Sequence, residues 1–216
     1  MIPTYVIHHT PLKERKEYIL RTLPWAQFIE HSDYLIDYHN DPVLWENRTS
    51  GLYSETIPHR VLSGGDMDCT TKHFEALTRI SNLSVPGLIL EDDAILLEGF
   101  WECVNETVQI KNSHLWDILF IGGAFPHTVA PTLSYYDKSP FVLKGHPCSN
   151  TVCSYIVKPK IANAIAHQLY KFGAALPIDF EFNYMCRKLG IRVCHYLPYV
   201  VQEGSSAGYY KGSQKR

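Results

Sequence analysis

Leu88-Ile89-Leu90-Glu91-Asp92-Asp93-Ala94-Ile95 sets three adjacent carboxylates at the end of an apolar run, with apolar residues resuming at once on the other side. The run has the length and composition of a buried strand, and the acids fall at its tip. Removing three like charges from water costs on the order of several kcal/mol each unless something positive shares the site. A plain solvated turn is the alternative, but such turns are flanked by Gly, Ser or Lys, whereas this one is flanked by Leu and Ile. A divalent cation at the strand tip accounts for the pattern, and oxygen-only ligands favour a hard ion, Mg²⁺ or Mn²⁺. If the strand runs on through Asp93, Glu91 and Asp93 stand on one side of it and Asp92 on the other.

Working outward, Thr4 to His8 has the β-branched, apolar character of a first buried strand, and Pro11 opens a helix over Lys13 to Leu23. Phe28 to Tyr38 reads as a second strand and Asn40 to Pro58 as a long loop. Ser63-Gly64-Gly65-Asp66 reads as a turn before a helix from Met67 to Ile80, and Gly87 to Asp93 is the central strand. Glu98 to Val108 can form a helix; Asp117 to Ile121 is a strand that Gly122-Gly123 terminates. The stretch from Ala124 to Ser149, punctuated by Pro126, Pro131, Pro140, Gly145 and Pro147, reads as an irregular connection. Ser154 to Val157 returns to strand, Pro159 to Phe172 and Phe180 to Leu189 are helices, and Ile191 to Tyr196 is a short strand. This alternation predicts a single α/β domain over residues 1–216, a mainly parallel central sheet flanked by helices, with ligands beyond the carboxyl ends of the strands.

The composition fits that prediction: 216 residues, 45% hydrophobic and 19% charged, are ordinary for one globular domain. A formal net charge of −2 with no basic run excludes a broad electrostatic case for nucleic acid. No stretch approaches the roughly 20 apolar residues of a membrane span, and the start lacks a signal peptide, so the expected location is cytoplasmic. Peripheral membrane association stays open. The six cysteines are scattered, which suits free thiols; Cys148 and Cys153 could close a loop disulfide, and no second cysteine pair supports a zinc site. Without a signal peptide, the sequons at Asn47, Asn82 and Asn105 read as chance matches.

With these residues in view, the chain resembles glycosyltransferase family 25, the lipooligosaccharide and lipopolysaccharide sugar transferases related to procollagen galactosyltransferases. Leu88 to Leu96 is similar to the family's Leu-Glu-Asp-Asp-Ala strand, and His73-Phe74-Glu75-Ala76-Leu77 to its Ser-His-x-x-Ala-Leu helix, with Lys72 in place of serine. Tyr5 to His8 with Arg15 resembles the family's first strand and arginine loop, His8 standing where Asn is usual. Ser154 to Val157 resembles its Ala-Tyr-Ile strand, and Leu176 to Asp179 its Pro-x-Asp. The resemblance implies a GT-A type nucleotide-sugar-binding domain, Mn²⁺ or Mg²⁺, and a UDP-sugar donor, UDP-galactose or UDP-glucose, from which a hexose passes to a glycan or glycoconjugate hydroxyl.

On that reading Glu91 and Asp93 ligate the metal, Gln202 and His195 are candidates to complete its shell, and Asp92 meets a ribose hydroxyl or is held by backbone. His8, Thr10 and Arg15 are candidates for base and phosphate contact, and Gly64 and Gly65 for close backbone approach to the ribose. An inverting transfer needs a base for the acceptor hydroxyl; Asp179 is the candidate and Glu181 the alternative. His73, on an apolar helix face, reads as structural. The tail from Gly204 to Lys211 could close as a lid, and Phe125, Tyr135-Tyr136 and Tyr209-Tyr210 could stack on sugars, although with 12% aromatic content packing is their default explanation. Two other functions remain open from sequence: a metal-dependent phosphohydrolase or nucleotidyltransferase, and an inactive glycan-binding domain of the same fold.

Overall fold

The computed structural model describes residues 1–53, 56–108, 114–123, 132–135, 140–149 and 151–210. Its first strand, β1 (Thr4–Ile7), is fully buried and feeds helix α1 (Lys13–Thr22). Pro11 lies in the turn before the Leu12 N-cap, outside the helix's first turn. The expected second strand shrinks to β2 (Gln27–Ile29), because the polar residues beyond it have no sheet partner on one side.

The expected long loop after residue 40 contains helix α2 (Pro42–Thr49). Its start is specified locally: Asp41 accepts from the backbone N–H groups of Val43 (2.8 Å) and Leu44 (3.3 Å), and Pro42 occupies the first helical position. The contiguous Val43-Leu44-Trp45 hides the helical period. Helix α3 (Gly64–Ser81) likewise begins earlier than expected, since Ser63 and Asp66 form a reciprocal capping box that draws Gly64 and Gly65 into the first turn.

Strand β3 (Gly87–Glu91) ends at Glu91; Asp92 and Asp93 form a turn into β4 (Ala94–Leu96). Helix α4 (Phe100–Thr107) and strand β5 (Ile118–Phe120) follow. Gly122-Gly123 does not merely terminate β5 but forms β6 (Gly122–Gly123), where a Cβ on Gly122 would sit 2.3 Å from the Val201 carbonyl. The stretch expected to be irregular contains β7 (Thr132–Tyr135) and β8 (Phe141–Lys144). The chain closes with β9 (Ser154–Val157), α5 (Pro159–Phe172), α6 (Ile178–Lys188), β10 (Val193–Tyr196) and β11 (Val201–Glu203).

Eight strands make the main sheet in the order β2-β1-β3-β9-β5-β10-β8-β7, and β4-β11-β6 make a small second one. β1 is parallel to β2 and β3, β5 to β10, while β9 and β8 each run antiparallel to both neighbours. All other strands of the sheet therefore point one way, as the mainly parallel expectation required. Strand residues alternate between two cores. Tyr5, Ile7 and Ile89 pack with Phe74, Leu77 and Ile80 of α3, Ile165 and Leu169 of α5, and Phe182 and Met185 of α6. Val6, Leu88 and Leu90 pack on the opposite face with Ile19 of α1 and Phe100, Cys103 and Val104 of α4. Burial on both faces explains why these strands read as unbroken apolar runs. All six cysteines are free thiols.

Candidate functional site

β1 and β3 are parallel neighbours with Ile7 opposite Glu91, so their carboxyl ends deliver His8 and Asp92 side by side. Asp92 accepts from His8 Nδ1 (2.9 Å), from the His9 backbone N–H (2.8 Å) and from Arg15 Nη1 (2.7 Å). Burial works to raise the Asp92 pKa, but these donors outweigh it and hold the carboxyl below its ordinary range. Arg15 is 2% exposed, so it is no surface helix residue. It also donates to Ser205 Oγ (3.3 Å) and carries the Tyr210 ring 4.9 Å from its guanidinium carbon. His8, Arg15 and Asp92, expected to contact nucleotide, are thus engaged with one another. Lys72, 3% exposed, donates to the His8 carbonyl (2.9 Å) and seals the end of β1. Thr10 is exposed in the turn before α1, and Gly64 and Gly65 are exposed at the start of α3.

Asp93, one residue on, has no cationic partner among the described residues. Its Oδ2 accepts the Ser205 N–H (3.2 Å), while its Oδ1 is buried with no hydrogen-bond partner. The β4–β11 ladder, pairing Ala94 with Glu203, brings a fourth acid beside it. Glu203 Oε1 accepts from Ser206 Oγ (2.9 Å) and its Oε2 is likewise buried and unpartnered. Burial, then the Asp93 charge, pushes the Glu203 carboxyl above its usual range. Gly204 makes this approach possible: its N–H donates to the Asp93 carbonyl (2.8 Å), which a Cβ at that position would meet at 2.7 Å.

Glu91 turns elsewhere. Because β3 ends there, it no longer shares a side with Asp93, and its Oε1 lies 3.4 Å from His73 Nε2 and 3.8 Å from Cys69 Sγ. Burial together with the charges of Asp93, Glu203 and Asp92 pushes its pKa well up. His73 Nδ1 pairs with the Tyr155 hydroxyl (3.1 Å), and burial lowers its pKa to about 4. Asp179 sits in the first turn of α6, accepts the Val152 N–H (3.0 Å), and is pushed up to about 7 by burial and then by Glu91.

Three sequence candidates fall away. Glu181 is a buried structural group: it pairs with Arg48 and accepts the N–H groups of Ala175 (3.0 Å) and Leu176 (3.1 Å), leaving no oxygen for an acceptor proton. His195 is fully buried with both ring nitrogens engaged, Nδ1 with Tyr199 Oη and Nε2 with the Cys148 carbonyl, each at 2.6 Å. Gln202 precedes Glu203 on β11 and pairs with Ile95, so strand alternation puts it on the face opposite Glu203. Glu203 carries no local signal: its run is two valines broken by Gln202, unlike the three apolar residues before Glu91, and it arrives through the β4–β11 ladder. In the tail, Gly204 and Tyr210 pack at the site, whereas Lys211, Phe125 and Tyr136 lie outside the described residues.

No protein-family model matches the chain, and no curated protein sequence matches it. Among solved structures it is similar to the inositol-1-phosphate CTP transferase from T. maritima, at 8% identity and TM-score 0.41 over 89% of this chain and 65% of that one. It is also similar to mouse xyloside xylosyltransferase 1 in its apo form, at 11% identity and TM-score 0.39 over 88% of this chain and 69% of that one. The chain thus spans 65% of the length of the first of these. Likeness at this level assigns neither substrate nor residue roles, and glycosyltransferase family 25 remains a resemblance carried by the motifs. Among the described residues, no helix is long and apolar enough to cross a membrane.

Proposed function

We propose that the protein is a metal-dependent glycosyltransferase that moves a hexose from a nucleotide-sugar, a UDP-sugar by the family resemblance, to a glycan hydroxyl. The observation that supports this most is the pair of buried, unpartnered carboxylate oxygens, Asp93 Oδ1 and Glu203 Oε2, beyond the carboxyl end of β3. Buried polar atoms without partners are rare and costly, and a carboxyl pushed up by burial and by a neighbouring acid, as Glu203 is by Asp93, fits a divalent cation. Asp93 and Glu203 are the residues that would hold it, and their all-oxygen character suits Mg²⁺ or Mn²⁺. A cation bound there would offset the negative charge that a diphosphate leaving group acquires.

Asp179 is the base in this reading. Its pKa of about 7 lets it exist as carboxylate at neutral pH and still bind a proton. The acceptor oxygen forms the new bond to the anomeric carbon, the bond to the diphosphate breaks with its electron pair leaving on the diphosphate, and the acceptor proton passes to Asp179. Arg15 and His8 act indirectly, by neutralising Asp92 so that the turn presents Asp93.

A thermal-shift panel of nucleotide-sugars, each with and without Mn²⁺, tests the reading. A rise in Tm with a UDP-sugar that requires the metal is the expected result. No shift with any nucleotide would overturn it, and release of sugar phosphate or inorganic phosphate without any acceptor would move the protein to the phosphohydrolases.

A further inference from the structure

We propose that Cys69, His73 and Glu91 form a second metal site, with mixed sulfur, nitrogen and oxygen donors, that takes Zn²⁺ rather than the hard cation assigned to Asp93 and Glu203. Cys69 and His73 are four residues apart on α3 and so share one face of the helix, opposite the tip of β3 that carries Glu91. One ligand atom from each lies within 4.8 Å of the others. A tetrahedral zinc ion, with bonds of about 2.3 Å to sulfur and about 2.0 Å to nitrogen and oxygen, sets its ligands roughly 3.3–3.6 Å apart. The nitrogen–oxygen edge between His73 and Glu91 is 3.4 Å and the sulfur–oxygen edge between Cys69 and Glu91 is 3.8 Å. Along these two edges closure onto an ion asks for shifts of a few tenths of an ångström, and the third edge, between Cys69 and His73, is within 4.8 Å.

The surroundings support the geometry. The Tyr155 hydroxyl engages His73 Nδ1 at 3.1 Å, leaving Nε2 toward Glu91, which is how outer groups orient a metal-bound imidazole. Cys69 is the least buried of the six cysteines and Glu91 is 27% exposed, so an ion has a route in. Three protein ligands leave a fourth position open. Thiol and imidazole donors select zinc over magnesium or manganese, and binding must displace the Cys69 proton. Searching for Cys-x-x-Cys spacing misses this site because its second donor is a histidine and its third comes from a strand.

The test uses the full chain, reduced and metal-free, titrated with Co²⁺ as a spectroscopic stand-in for zinc. One equivalent should produce a thiolate-to-cobalt charge-transfer band with tetrahedral d–d absorption, which Zn²⁺ then bleaches. Cys69→Ser should abolish the charge-transfer band, while Cys103→Ser should keep it. Absence of the band from the native protein, or its survival in Cys69→Ser, overturns the proposal. Should Cys69→Ser fail to fold, alkylation of the native protein decides: Zn²⁺ should slow modification of Cys69 by tenfold or more, as a bound thiolate requires, and an unchanged rate counts against the site. Neither readout involves a nucleotide, so failure here leaves the transferase reading to its own experiment.

Discussion

Asp92 and Asp93 are consecutive, yet their carboxylates occupy opposite electrostatic surroundings. Asp92 holds both Arg15, at 2.7 Å, and His8, at 2.9 Å, whereas Asp93 keeps a buried oxygen without a hydrogen-bond partner among the described residues. The β3–β4 turn thereby divides a run of like charge into one residue that is tied to cation and backbone and one that the proposed function makes a cation ligand.

The first consequence concerns stability. Removing Arg15 leaves Asp92 buried without its cation, so Arg15→Met should cost about 3–5 kcal/mol in urea unfolding. Replacing both partners, Arg15→Met with Asp92→Asn, should cost clearly less than the sum of the single changes.

Asp93 and Glu203 should behave in the opposite way. Asp93→Asn or Glu203→Gln removes a like charge, and metal-free stability should be unchanged or higher. The stabilisation by Mn²⁺, about 2.7 kcal/mol at a hundredfold excess over Kd, should disappear. A variant that keeps the full Mn²⁺-induced rise in Tm removes that residue from the cation site.

Asp179→Asn should lower kcat by about 10²- to 10⁴-fold with little effect on donor binding. On the transferase reading, a base with a pKa of about 7 must lose its proton to act, so the activity of the unmutated protein should fall as pH drops through that value. The variant's residual rate should lack that limb of the profile.

The α3 capping box should show in acid. Burial works to raise the Asp66 pKa, but the hydrogen bonds from Arg60 and Ser63 overcome it and hold it at about 2, against an ordinary 3.8. A depressed carboxylate stabilises the fold above its unfolded pKa and loses that contribution as pH falls toward the folded one. The native protein should therefore exceed Asp66→Asn by about 1–2 kcal/mol at neutral pH, discounted for the half-exposed Arg60, and the gap should close between about pH 4 and pH 2.

Much of this architecture was legible because the strands are buried on both faces, and so Thr4 to Ile7 and Gly87 to Leu90 read as apolar runs. What escaped reading was set by local capping or by distant pairing. Asp41-Pro42 starts a helix whose apolar residues show no period, and Ser63 with Asp66 turns a Gly-Gly pair into helix. At the site, Asp93 was singled out from chemistry alone, but its companion Glu203 arrives through a ladder with β4 that no local pattern announces. Glu181 and His195 carry plausible functional side chains, and only their complete sets of buried partners mark them as framework.

Gly204 and Ser205 close on Asp93 from far downstream, Ser205 from 112 positions along the chain. The β1–β3 pairing needs only residues 4–91, whereas Asp93 and Glu203 come together only when β11 docks on β4. A polypeptide clipped before Val201 would retain the residues of β1 and β3 while lacking Glu203, so the acidic pair belongs to the most non-local contacts of the fold.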